Sequence, residues 1–121
     1  MASSFKNAHT NVGTSDTDLY IANGVSQLSA VVHGMYVANT DTSANVSVTV
    51  KVYEDSSGSS RVLMNGVPIP ANSSLSLDKP VNLEPNDKLV VSANSTNCEA
   101  FASVLELSLI HISEPTRRVF I

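Results

Sequence analysis

From Asn45 to Tyr53 the chain alternates without a fault: Val46, Val48, Val50 and Val52 are apolar, and Ser47, Thr49 and Lys51 between them are polar. A period of two sets one side of a strand on a core and the other in solvent, as in an antiparallel sheet with one wet face. Ser26 to Ala38 predicts a longer strand that is apolar on both faces, through Val31, Val32, Met35, Tyr36 and Val37, and therefore central in its sheet. Gly34 within it marks a bulge or a close neighbour. The connection Asn39–Ala44, NTDTSA, has the short Asn/Asp/Ser chemistry of a hairpin turn, which predicts that these two strands are neighbours. Weaker strands are predicted over Ser4–Thr10, Asp18–Ala22, Arg61–Asn65, Ser74–Leu77, Lys88–Ala93 and Glu99–Glu106. Turn-rich separators divide them, including a flexible hairpin tip at Ser56–Ser60.

No stretch keeps helical spacing over three turns, and Pro68, Pro70, Pro80 and Pro85 punctuate the second half too often for a helix. About eight short strands separated by turns predict an all-β fold, an antiparallel β-sandwich of jelly-roll or immunoglobulin-like topology. Pattern alone does not choose between the two, because strand order rests on long-range pairing.

Composition narrows the function. The chain has 121 residues, 7 Lys plus Arg against 11 Asp plus Glu, a net charge of −4 and one cysteine, Cys98. An acidic chain without a basic stripe argues against nucleic acid as a partner, since that affinity rests on neutralising phosphates. No apolar run approaches the ~20 residues of a membrane span, and no secretory apolar segment follows Met1, so neither a membrane partner nor Sec export is expected. One cysteine forms no internal disulfide framework.

The segment Leu107–Arg117, LSLIHISEPTR, resembles the translation of a transposase-based sequencing adapter, with Arg118–Ile121 as translated index sequence behind it. It is therefore set aside before fold reasoning, as fusion scars are. The expected natural part is a single domain over 1–106, and 107–121 is a non-native tail. Without the tail, Lys plus Arg falls from 7 to 5 and Asp plus Glu from 11 to 10, moving the net charge from −4 to −5.

The chemical groups that remain do not form a recognisable catalytic pattern. His9 and His33 lie in separate strands, and no His, Cys, Asp or Glu set has the spacing of a metal site. The serines lack a nucleophile elbow. His33 is expected to be a hydrogen-bonded core or interface histidine, and Cys98 a small buried hydrophobe. Asp16 and Asp18, and Asn39, Asp41 and Asn45, form acidic turns that read as solvated carboxylates because neither has an EF-hand loop's length or glycine. Hence no enzyme, no cofactor and no metal is expected.

Four passages carry a resemblance: MASSFKNA at the start, VVHGMYVANTD at Val31–Asp41, VSVTVKVYED at Val46–Asp55, and PIPANSSLSLDKPVNLEPNDKLVVSA at Pro68–Ala93. Together they are similar to small virion structural proteins of tailed bacteriophages, especially marine ones. In that group a long strand leads into an Asn-Thr-Asp turn, and a PIPA-type turn precedes an LEPND or LEAGD turn and a closing strand like ASVLEL. Asn86 stands where glycine is commoner. Independently, Pro70 fixes φ at a turn, Pro85 takes the second position of the EPND turn, and Asn86 or Asp87 tolerates the turn backbone.

The resemblance implies a non-enzymatic virion subunit, a capsid decoration, head-to-tail or tail-associated component, made in the bacterial host cytoplasm. It would work as a homo-oligomer that also contacts other phage structural proteins. Aromatics are scarce, so Phe5, Tyr20, Tyr36, Tyr53 and Phe101 are the available interface anchors, Tyr20, Tyr36 and Tyr53 above all. Core packing is the default assignment for each of the five. The alternative is a carbohydrate-binding β-sandwich module for host-surface glycans; such sites usually present an aromatic platform beside polar and acidic groups, and this chain has no tryptophan. An enzyme would need His33 or His9 to meet a carboxylate and a nucleophile in space.

Overall fold

The computed structural model describes residues 2–22 and 28–108, and every regular element within them is a strand. In chain order they are β1 (Ala2–Val12), β2 (Thr17–Ile21), β3 (Leu28–Asn39), β4 (Val46–Glu54), β5 (Ser59–Ile69), β6 (Ser74–Leu77), β7 (Val81–Leu83), β8 (Lys88–Ala93) and β9 (Cys98–Ser108). The first sheet has the order β1-β9-β3-β6, with β7 also on β3, and the second has the order β2-β8-β4-β5. All pairings are antiparallel.

The pairing is nested about the β4–β5 hairpin: β4 meets β5, β3 meets β6 and β7, β2 meets β8, and β1 meets β9. A long hairpin rolled so that alternate pairs fall in opposite sheets is a jelly roll, which resolves the topology that pattern left open. β3 lies between β9 and β6/β7, the central place expected of it. Its register against β9 shifts between Val32 and Gly34, so the expected irregularity at Gly34 is a bulge.

β7 has no counterpart in the sequence reading. With β6 it forms one interrupted edge strand along β3, where Leu77 faces Met35 and Val81 faces Val32. Four positions on the edge match three on β3, and Pro80, which has no N–H to give the ladder, sits in the break. Proline on an edge is also a guard against further strand pairing.

The core lies between the sheets and is aliphatic. Val46, Val48, Val50 and Val52 are all buried, so the alternation that predicted β4 also gives its inward face. They meet Val32, Met35 and Val37 of β3, Leu89 and Val91 of β8, and Ala100, Ala102 and Val104 of β9 in one cluster. The default core assignment fails for Phe5, Tyr36 and Phe101, which are 79, 53 and 38% exposed. Parity explains it: Ala100, Ala102 and Val104 point inward, so Phe101 between them points out.

The expected β3–β4 hairpin does not form, since β3 ends in the first sheet and β4 begins in the second. The NTDTSA segment is an arch between sheets. Asn39 is 2% exposed, and its Nδ2 donates to the carbonyls of Ala44 and Ile69, both at 2.9 Å, while its Oδ1 accepts from the Asp41 N–H at 2.9 Å. The carbonyl of Ile69 belongs to β5, so one amide holds the exit of β3, the entry of β4 and the end of β5. Hairpins and arches draw on the same short polar residues. Only the long-range bond to Ile69 separates them.

The other end is tied by Asp87, 5% exposed. Its carboxylate accepts from the Asp55 N–H at the β4–β5 tip and from the Glu84 N–H, both at 3.0 Å. The EPND turn closes through Asp87 N–H to Glu84 O at 3.0 Å, with Asn86 at φ 72°. A positive φ suits glycine or asparagine, which accounts for Asn86 at a place where glycine is commoner. The PIPANS turn works likewise, with Asn72 at φ 60° and Ser73 N–H donating to Pro70 O at 3.1 Å.

Val50→Asp should abolish soluble folding, because an unpaired buried carboxylate costs several kcal/mol, whereas Lys51→Gln, which loses one partly exposed ion pair with Asp16, should cost less than about 1 kcal/mol; chemical denaturation of both variants checks this. Asn39→Ala, which strands two carbonyls and an N–H, should cost about 3 kcal/mol, against less than about 0.5 kcal/mol for the exposed Thr42→Ala.

Candidate interaction surface

The outer face of the first sheet carries the exposed aromatics. Register aligns Phe5 with Leu105 and Leu105 with Val31, and in a second row His9 with Phe101 and Phe101 with Tyr36. His33 stands outward beside the bulge in β3, its ring centroid 5.9 Å from that of Phe5 at a 37° tilt. Of the core or interface placement expected for His33 the core half fails: alternation from the buried Ala30 and Val32 points it outward, and the bulge then returns Met35 and Val37 to the inner side. Asn7, Asn11, Ser74, Ser76 and Asn82 surround these rows. Among the described residues Glu99 is the one charged side chain on the strands of this face.

That pattern departs from an ordinary solvated sheet face. Four strands at about 4.8 Å spacing and about nine residues at about 3.3 Å rise give a footprint of roughly 20 by 30 Å. With side-chain relief counted, this approaches the ~800 Å² per partner of a stable protein contact. An aromatic centre with a small polar rim and almost no charge is the composition of an interface core.

The three tyrosines read as anchors are not brought together. Tyr36 belongs to the patch just described. Tyr53 stands on the outer face of the second sheet, with Lys88 Nζ 5.5 Å from its ring centroid and Lys88 in turn 3.8 Å from Asp18. Tyr20 packs against the core from β2, and its hydroxyl donates to Glu106 Oε2 on β9, across the two sheets. Burial foremost, then the hydrogen bond and negative charge of Glu106, push its phenol well above the ordinary value.

The other candidate groups have structural partners. Asp16 pairs with Lys51 at 3.2 Å. Asp41 caps the arch, accepting from the Ser43 and Ala44 N–H groups at 2.9 and 3.0 Å and from Asn97 Nδ2 at 3.1 Å, and these bonds hold its carboxyl below the usual range. Among the described residues no three His, Cys, Asp or Glu side chains converge. His9 faces outward on β1, and Cys98 is buried at the start of β9, where desolvation raises its thiol. The aromatic face could have been found from the sequence by assigning parity along Cys98–Ser108, since Ala100, Ala102 and Val104 mark the inner side.

The fold is similar to that of a chain from the capsid structure of Helicobacter pylori bacteriophage KHP30, with 13% identity, a TM-score of 0.53, and coverage of 88% of this chain and 87% of that one. It is also similar to a chain of the disulfide-linked pili of Bacillus endospore appendages, with 11% identity, a TM-score of 0.52 and coverage of 88 and 87%. A chain of the T13 particle of infectious bursal disease virus matches at 10% identity and a TM-score of 0.51, over 88% of this chain and 31% of that one. No protein-family model and no curated protein sequence matches the chain. Likeness at this identity establishes the jelly-roll fold.

Tyr20 offers a pH test. Its raised phenol adds stability that is complete below the free tyrosine value of about 10 and is lost as pH rises further. Tyr20→Phe should cost about 1–2 kcal/mol near neutrality, and the gap to the wild type should close above pH of about 10. Denaturant melts of both proteins across that range check it; a gap that persists at high pH would contradict the assignment.

Proposed function

We propose that the chain is a non-enzymatic structural subunit of a bacteriophage virion, of the tailed, marine type that its motifs resemble. It serves as a capsid-decoration, head-to-tail or tail-associated component, made in the host cytoplasm. The observation that carries this reading is the nearly uncharged aromatic face on the outside of a jelly roll. Phe5, Tyr36 and Phe101 are large apolar groups whose cover would remove ~150–250 Å² each from water at full burial, and a contiguous patch of this kind marks a contact surface.

A second copy of the chain fits that face. The protein is acidic, at −4, so copies repel over most of their surfaces. Here they can meet with one carboxylate per partner. Tyr36 is the anchor this reading uses; Tyr20 and Tyr53 are engaged with Glu106 and Lys88. Neither nucleic acid nor membrane is needed as a partner; Leu107 and Ser108 of the adapter-like segment continue β9, 109–121 lie outside the described residues, and the proposed contact rests on none of them. A covalently linked pilus subunit is less well supported, because Cys98 is 1% exposed and its thiol is held neutral by desolvation.

Sedimentation velocity on the purified chain tests the proposal. A discrete oligomer is expected, and Phe5→Ser with Phe101→Ser should convert it to a folded monomer with an unchanged melting temperature. A wild type that stays monomeric at high concentration and binds no head or tail component would overturn the virion reading. An oligomer indifferent to both substitutions would overturn the choice of face.

A further inference from the structure

The opposite sheet has a different outer face. Thr14, Ser47, Thr49, Gly66, Ser92, Ala93 and Asn94 line a shallow, open depression of about 430 Å³. Its floor is formed by Ser47 and Thr49 of β4, with Ser92 paired to Thr49 across the ladder to β8. One wall is the β1–β2 loop at Thr14. The other is the Gly66 bulge of β5, where φ is 60° and a Cβ would meet nothing within 4 Å.

The walls are fixed by hydrogen bonds. Ala93 N–H donates to Gly13 O at 3.0 Å, Asn94 N–H to Ser47 O at 3.1 Å, Ser47 N–H to Asn94 Oδ1 at 3.0 Å, and Gly66 N–H to Thr49 Oγ1 at 3.0 Å. These bonds leave the Asn94 Nδ2 and the hydroxyls of Thr14, Ser47 and Ser92 with no partner among the described residues. No charged side chain lines the site. The Thr methyls, Ala93 and the Gly66 methylene add an apolar component.

We propose that this depression binds a neutral sugar residue. Hydroxyl and amide groups that each donate or accept match the alternating hydroxyls of a pyranose, and the methyl and methylene groups suit its C–H face. The absence of lining charge disfavours anions and cations alike. Walls already tied in place lower the ordering cost of binding, while the shallow, open shape limits affinity to roughly the millimolar range. The site lies on the sheet that the assembly proposal leaves facing solvent, yet it does not depend on that proposal.

Titration of the isotope-labelled protein with neutral hexoses and N-acetylhexosamines, followed by amide NMR shifts, tests it. At least one sugar should move the amides of Thr14, Ser47, Thr49, Gly66, Ser92, Ala93 and Asn94 in a saturable way that salt does not alter. Ser92→Phe, which fills the floor, and Thr14→Gln, which narrows the wall, should each weaken binding at least tenfold while the remaining spectrum stays that of the folded protein. Phe101→Ser, on the other sheet, should leave it unchanged. No saturable shift with any of these sugars at tens of millimolar, shifts scattered over the surface, or binding that survives both substitutions would overturn the proposal.

Discussion

The buried amide of Asn39 is the contact on which the double-sheet arrangement turns. An aliphatic core supplies most of the driving force but no direction, since valine packs on valine in more than one register. Direction comes from polar groups that have to find specific partners once water is excluded. Asn39 bonds to both sides of the arch and to the end of β5, so it sends the chain across to the second sheet where a hairpin would have kept it in the first. Asp41 extends the same knot to Asn97, just before β9. At the far end Asp87 ties the β7–β8 turn to the tip of the β4–β5 hairpin. The core is thus bounded at each end by one buried polar side chain with its bonds made.

Once the crossings are set, strand parity decides what each face shows. On the first sheet the buried inner positions are filled mainly by Ala, Val, Leu and Met, and Phe5, Tyr36 and Phe101 fall outside. The bulge at Gly34 lets Val32 and Met35 both face the core, and His33 stands on the outer surface between them. On the second sheet the outer positions of β4 and β8 combine Ser47, Thr49 and Ser92 with Tyr53, Val90 and the two lysine–aspartate pairs Lys51–Asp16 and Lys88–Asp18. The first face therefore gathers the exposed aromatics with almost no charge, whereas the second mixes ion pairs and small hydroxyl residues with the exposed aliphatics Ile21, Val62 and Leu63. Both follow from the same two-residue period.

Much of this was legible in the sequence where the information is local. The alternation over Val46–Val52 gave a strand and its inward side, Ser74–Leu77 and Lys88–Ala93 gave strand limits that the structure keeps, and Pro85–Asn86 gave a turn. The parts that depend on partners were not legible. Asn39–Ala44 has a turn composition whether its strands pair or part, and the deciding bond to Ile69 spans thirty residues. Val81–Leu83 is too short to show a period and becomes a strand only by lying along β3. Residue type makes the core the default for each aromatic and leaves the interface as the alternative, whereas position relative to Ala100 and Val104 decides for Phe101.

The division of labour between the two faces is tested most directly by a cryo-electron microscopy reconstruction of the assembled particle or oligomer. The β1-β9-β3-β6 sheet is expected against a neighbouring copy, with Phe5, Tyr36 and Phe101 covered and the depression at Ser92 open to solvent. A reconstruction in which those three rings face solvent and copies meet through the β2-β8-β4-β5 sheet would contradict it.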